Sequence, residues 1–203
     1  MDGVNSTSMR KKGVSYKTNF GVPIMTLRKM ALNYAPDKIL AENLWKENTR
    51  ELKILATMIQ PASDFLGTLK WVEEIDNLEL AEQASMNLFS KTQDAPENAS
   101  RLISSKALYE QICGYLIYSR LFMSGYTLNE TNRHNYFQYA FEALNNESIL
   151  LKSTALNSLK KLGLQSKTLG NEIIEMFNNE FSEKNEQKQA IYEDLMFDFN
   201  YYS

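Results

Sequence analysis

Apolar residues recur at steps of three and four along most of the chain, which is the spacing of one face of an α-helix. The stretch 71–89 is the clearest case, and its spacing predicts a helix, a turn and a second helix. Asp37, Thr49 and Ser63 are the predicted N-caps of the second, third and fourth helices. No segment is convincing as a strand. The pattern and its breaks predict helices over about 24–34, 38–47, 50–60, 64–74, 77–90, 96–103, 106–122, 131–144, 147–162, 167–180 and 183–198.

A short motif repeats within these helices: a polar residue, two spacers and a small residue. It occurs as Lys53-x-x-Ala56, Gln111-x-x-Gly114 and Lys152-x-x-Ala155. The small residue would let the next helix pack closely, and a repeat of roughly 30 to 45 residues is typical of helix-pair solenoids. We therefore expect one repeat domain over 13–203, preceded by a flexible basic segment at 1–12.

Composition restricts the class of protein. Hydrophobic residues make up 43% of the 203 positions, which excludes a disordered chain. No apolar run approaches the roughly 18 residues that span a bilayer, and the N-terminus has no apolar signal-peptide core, so we expect no membrane contact. The one cysteine, Cys113, has apolar neighbours and is expected to be a buried thiol in the reducing cytoplasm.

Charge and ligand chemistry exclude further classes. The net charge of −3 argues against strong nonspecific DNA binding, although it leaves room for a local basic patch. The one histidine, His134, lies in a polar helix start and is expected at the surface. A single histidine and a single cysteine cannot form a structural zinc site, and no glycine-rich phosphate loop follows a strand. We therefore expect no metal and no cofactor.

Three blocks of the sequence resemble, in the same order, blocks of the AlkD-like DNA alkylation repair proteins. They are FGVPIMTLRKMA at 20–31, LAENLW with ELKILA at 40–56, and WVEEIDNLELAEQASMNLF at 71–89. The resemblance covers roughly 10–165 and is strongest over 20–91. Those proteins are all-helical HEAT-like repeat DNA glycosylases. The resemblance implies an all-α HEAT-like helical-repeat solenoid, an α-α superhelix with a concave groove that contacts nucleic acid.

The family's active site is only partly retained. Members that excise alkylated bases use a carboxylate, aromatic faces that hold the cationic nucleotide, and an arginine on the backbone phosphate. By resemblance, the catalytic aspartate falls on Glu82, and the tryptophan four residues earlier falls on Leu78. The arginine should fall within 111–114, which contains none, and the later tryptophan falls near Leu156. The resemblance thus implies weak or lost base excision.

Charged residues supply the remaining candidates. Asp76, Glu79 and Glu82 stand at three-residue steps, which places them on neighbouring positions of one helix face. This row of acids suits either a solvated helix N-terminus or the groove lining. The predicted groove-lining residues are Asp76, Leu78, Glu79, Gln111 and Leu156. The predicted nucleic-acid-binding residues are Arg10, Lys11, Lys12, Lys53, Lys152, Lys160 and Lys161.

Three functions remain open at this point. The leading hypothesis is a protein that binds duplex DNA through its concave face and has weak or no excision activity. The second is an active glycosylase, with Glu82 stabilising the sugar cation and Tyr115 or Tyr118 replacing the lost aromatic residue. The third is a protein-interaction scaffold, whose acids at Asp76, Glu79 and Glu82 attract a basic protein partner.

Overall fold

The computed structural model describes residues 16, 18–63, 65–182 and 185–201, and its regular structure is helical. One short 3₁₀-helix, Phe89–Lys91, and one isolated bridge between Thr18 and Thr49 complete the secondary structure of the described residues. The predicted all-α class is confirmed. The α-helices are α1 Ile24–Ala31, α2 Lys38–Lys46, α3 Arg50–Ile59, α4 Thr68–Val72, α5 Leu78–Asn87, α6 Ala95–Ile103, α7 Leu108–Met123, α8 Glu130–Leu144, α9 Ile149–Gly163, α10 Lys167–Glu180 and α11 Glu186–Tyr201.

Two of the three predicted N-cap positions are confirmed, and one of them has a side-chain cap. The Asp37 side chain accepts a hydrogen bond from the Leu40 amide at 2.9 Å. Thr49 occupies the N-cap position of α3 as predicted, but its side chain makes no cap hydrogen bond. The amide of Arg50, the first residue of α3, donates to the Thr18 carbonyl at 3.2 Å. Ser63 is not a cap, since α4 begins only after Gly67.

The chain divides into two compact units, unit 1 up to Asn98 and unit 2 from Ala99. In unit 1, α3 packs against α1, α2 and α5. Ile54 and Ala56 of α3 and Leu80 and Ala84 of α5 are fully buried, which is the apolar face that the three- and four-residue spacing predicted. α3 is therefore the central helix of this unit.

In unit 2, α9 packs against α7, α8, α10 and α11. Its neighbours α7 and α8 contribute an aromatic cluster, in which Tyr136 makes edge-to-face contacts with Tyr118 at 5.1 Å and Phe122 at 5.4 Å between ring centroids. The Tyr136 hydroxyl shares a 2.8 Å hydrogen bond with Ser158 of α9. Cys113 of α7 is buried, as predicted. Among the described residues, no helix is long and apolar enough to cross a membrane.

The small residues of the repeated motif allow close helix packing, as predicted. Ala56 and Ala155 have no exposed surface, and Gly114 is buried. A β-carbon built on Gly114 would lie 2.8 Å from the backbone nitrogen of Ile103 in α6 and 3.0 Å from the Leu102 β-carbon. Backbone atoms cannot move away as a flexible side chain can, so α6 and α7 approach closely only because residue 114 is a glycine.

Candidate functional site

The helix that carries Glu82 begins at a well-fixed point. Asn77 caps α5 by accepting a hydrogen bond from the Leu80 amide at 3.0 Å, and its own amide group donates to the Tyr16 hydroxyl at 3.1 Å and to Asp76 at 2.9 Å. Leu78 is half-buried and Glu82 is exposed, one helical turn apart on α5. Glu82 is therefore an exposed residue next to an aliphatic rather than an aromatic side chain.

The second acid of the predicted row belongs to a buried ion network. The Glu79 carboxylate accepts two hydrogen bonds from Arg50, at 2.7 Å from Nε and 2.6 Å from Nη2. Arg50 is only 1% exposed and also donates to Glu51 and to the Val22 carbonyl, each at 3.0 Å. Burial disfavours its charge, but the carboxylates of Glu79 and Glu51 outweigh burial and raise the pKa of Arg50.

The same network secures the segment before α1. The Glu51 carboxylate accepts the backbone amides of Phe20 at 3.1 Å and Val22 at 3.2 Å. Arg50 and Glu51 thus each have several hydrogen-bond partners, which a buried ion pair requires. Because its charge is neutralised, Glu79 does not join Asp76 and Glu82 in one acidic strip. The network holds the fold together. Glu79 is therefore not available to attract a basic protein partner, as the scaffold hypothesis required.

Lys53, a predicted nucleic-acid-binding residue, is committed to contacts inside unit 1. It is 8% exposed, its ammonium pairs with Glu74 at 2.9 Å, and it lies 4.4 Å from the centroid of the Trp45 ring. Trp45 in turn stacks on Trp71, with 4.1 Å between centroids and 5° between planes. These are the chain's two tryptophans, and both are buried, so neither presents an open ring to a cationic base.

The predicted basic residues of unit 2 differ in availability. Lys160 pairs with Asp194 at 2.6 Å and Asp198 at 3.0 Å; burial opposes its charge, yet these hydrogen bonds raise the pKa of Lys160. Lys152 and Lys161 are half-buried. Lys160 is thus neutralised, whereas Lys152 and Lys161 keep part of their surface in solvent. Arg10, Lys11 and Lys12 lie outside the described residues, as does the predicted flexible segment 1–12.

Lys188, another lysine of unit 2, has a structural role that its sequence surroundings do not indicate. Lys188 is buried and its ammonium donates to the carbonyl of Leu144, the last residue of α8, at 2.8 Å. Burial, and then the charge of Lys152, lower the pKa of Lys188. A cation on the free carbonyls of a helix C-terminus is a stabilising contact, so Lys188 caps α8.

The remaining family positions also lie in unit 2. Gln111 is half-buried and its side-chain amide donates to the Ser105 carbonyl at 2.5 Å, while Leu156 is half-buried on α9. Tyr115 and Tyr118 are 1% and 2% exposed, and burial raises the pKa of Tyr115. Neither ring has a free face, which removes both tyrosines as replacements for the lost aromatic residue.

Comparisons with known proteins found one family and one solved structure that match the chain. The sequence profile of a family described as "DNA alkylation repair enzyme" matches residues 4–192. No curated protein sequence matches the chain. One solved structure, described as "A new family of proteins related to the HEAT-like repeat DNA glycosylases with affinity for branched DNA structures", is similar with a TM-score of 0.75 and 15% identity, over 94% of this chain and 87% of that chain.

The structural similarity confirms the predicted HEAT-like helical-repeat fold, and the profile extends over nearly the whole sequence. The resemblance seen in the three sequence blocks is therefore confirmed, and the chain belongs to the DNA alkylation repair enzyme family.

Proposed function

We propose that this protein binds DNA and that its base-excision activity is weak or lost. Family membership supports a DNA substrate, and the similar solved structure is described as having affinity for branched DNA. We extend that affinity to this chain, so that both duplex and branched DNA are candidate partners. The single buried Cys113 supports the expected cytoplasmic location, since a free thiol suits a reducing compartment.

The observation that carries the proposal is the absence of an open tryptophan face. Excision of an alkylated base creates a cation-like sugar, and the rate depends on groups that stabilise it and hold the base. Glu82 retains the carboxylate, but Leu78 has no π-face, and Trp45 and Trp71 are stacked in the core. A single carboxylate without the groups that position the base leaves slow chemistry, because small misplacements reduce rates strongly.

The DNA-binding half of the proposal rests on local rather than overall charge. With a net charge of −3, the whole molecule does not attract phosphate, so binding requires a surface where lysines outnumber acids. Lys152 and Lys161 remain partly exposed and keep their predicted role as phosphate contacts. Lys53 and Lys160 could take that role only by leaving their carboxylate partners.

A glycosylase that uses Glu82 is the second candidate, favoured by the exposure of that carboxylate. Incubation with methylated DNA distinguishes it. We expect wild type to release alkylated base at least about 100-fold more slowly than an active family member, since one lost stabilising group alone has that effect. Glu82→Gln should lower whatever release remains, because Glu82 is the retained carboxylate. Chromatography of the released base measures this.

Glu73→Gln is the matched control, because Glu73 is an exposed glutamate outside α5. Release by wild type and Glu73→Gln at the rate of an active family member, lost in Glu82→Gln, would contradict weak excision and establish the glycosylase. A protein scaffold for a basic partner has less support, because Glu79 is neutralised by Arg50.

A further inference from the structure

Unit 1 contains a cleft that none of the family positions occupies. It lies between α2 and α4, has a volume of about 500 Å³, and is called here the α2–α4 cleft. That volume falls within the roughly 300–1,000 Å³ typical of ligand sites. The cleft is lined by Lys38, Glu42, Trp45, Lys46, Phe65, Leu66, Gly67, Lys70, Trp71 and Glu74.

The cleft is basic in a protein that is acidic overall. Its three lining lysines, Lys38, Lys46 and Lys70, are all exposed. Glu74 is offset by its ion pair with Lys53 at 2.9 Å, which leaves Glu42 as the lining acid without an offsetting lysine among the ion pairs of the structure. The lysines therefore exceed the acids, and an anion such as phosphate is the ligand that this charge favours.

Trp45, one of the residues that line the cleft, carries a buried donor without a partner in the part of the chain that the structure describes. Trp45 is 2% exposed, and its indole Nε1–H has no hydrogen-bond partner among the described residues. A buried donor left unpaired destabilises a protein by about 1–3 kcal/mol. The donor has almost no exposed surface, so a ligand oxygen would reach it only after the ring or its neighbours moved.

An apolar side chain stands at the edge of the cleft. Leu66 is 85% exposed, the most exposed of the large hydrophobic residues described. It lies in the loop between α3 and α4, next to Phe65, whose ring is buried against Trp71 with 4.7 Å between centroids. Phe65 anchors the loop, so Leu66 is held in solvent beside the lysines. Apolar side chains such as leucine are known to insert between base steps of DNA, which partly unstacks the bases.

We propose that the α2–α4 cleft binds the backbone of a DNA strand where that strand leaves a duplex at a branch. Lys38, Lys46 and Lys70 contact successive phosphates, and Leu66 packs against the base that the branch leaves unstacked. A continuous duplex offers the phosphates but no open base face, so the cleft favours branched over duplex DNA. This inference rests on the proposed DNA binding, and it identifies the α2–α4 cleft as the surface that binds.

The test is fluorescence anisotropy of the full chain with a labelled four-way junction and a labelled duplex of the same composition. The variant Lys38→Gln/Lys46→Gln/Lys70→Gln should bind the junction at least about tenfold more weakly than wild type. Its plot of log K against log salt should be shallower by about 3, since each lost phosphate contact removes roughly 0.9. Leu66→Ala should weaken junction binding and leave duplex binding unchanged.

The matched control is Lys91→Gln/Lys106→Gln/Lys167→Gln, which removes three exposed lysines outside the cleft. It should retain most of the junction affinity, and circular dichroism should show all variants folded. Equal losses of junction affinity in the two triple variants would show that the α2–α4 cleft is not the DNA-binding surface, while leaving the proposed DNA binding in place. A wild-type protein that binds neither DNA would overturn both. Equal effects of Leu66→Ala on junction and duplex would overturn the branch preference.

Discussion

Replacing Arg50 with methionine is expected to lower the free energy of unfolding by about 3–5 kcal/mol. Arg50 is 1% exposed and joins Glu79 of α5, Glu51 of α3 and the Val22 carbonyl before α1. Methionine fills much of the volume but removes the positive charge, which leaves the buried Glu51 carboxylate facing Glu79 uncompensated. Breaking one side of a buried ion pair has this large effect because the partner keeps its desolvation penalty.

The control for Arg50 is Arg133→Met, which breaks the ion pair to Glu172 at 3.0 Å on the surface of unit 2. Both side chains are about one-third exposed, at 28% and 33%, so water replaces the lost contact and the expected change is at most about 1 kcal/mol. Urea denaturation followed by circular dichroism measures both variants. Similar losses for the two would contradict the structural role of the Arg50 network.

Trp71→Ala is expected to destabilise the protein by about 3–5 kcal/mol, the usual range for a large buried ring. Trp71 is 6% exposed and lies between Trp45, stacked at 4.1 Å, and Phe65, edge-on at 4.7 Å. The substitution leaves a cavity on one face of Trp45, whose other contacts include the Lys53 ammonium. Thermal or urea unfolding would show the loss.

Leu66→Ala is the control for Trp71→Ala, because Leu66 lies in the loop that leads into α4, the helix of Trp71. Because Leu66 is 85% exposed, its removal is expected to change stability by no more than about 0.5 kcal/mol. A loss below about 1 kcal/mol for Trp71→Ala would contradict its place in the core. The Trp71 ring would then not be an essential part of the core of unit 1.

The sequence pattern predicts the existence of each helix well and some of its ends less well. Periodicity reports which face is buried, and this holds for Ile54 and Ala56 on α3. The start of α4 could not be predicted from Ser63, because the loop after Pro61 is shaped by tertiary packing. It carries Phe65 into the core against Trp71, and α4 follows only at Thr68.

The candidate site shows the same limit more strongly. Spacing within single helices predicts that Glu79 belongs to an acidic row and that Lys53 contacts phosphate. Their partners are remote in sequence, since Arg50 lies 29 residues before Glu79 and Glu74 lies 21 after Lys53. Only the packing of α3 against its neighbours brings such pairs together, and no local pattern reports it. The α2–α4 cleft escaped for the same reason: its lysines come from two helices.

The central claim is that this family member binds DNA, and one titration tests it most directly. Wild-type protein is added to labelled duplex and labelled four-way junction at several salt concentrations between roughly 50 and 200 mM. We expect saturable binding at the lowest salt, with log K falling linearly as log salt rises, and tighter binding to the junction. No binding to either DNA at about 50 mM salt would contradict the account.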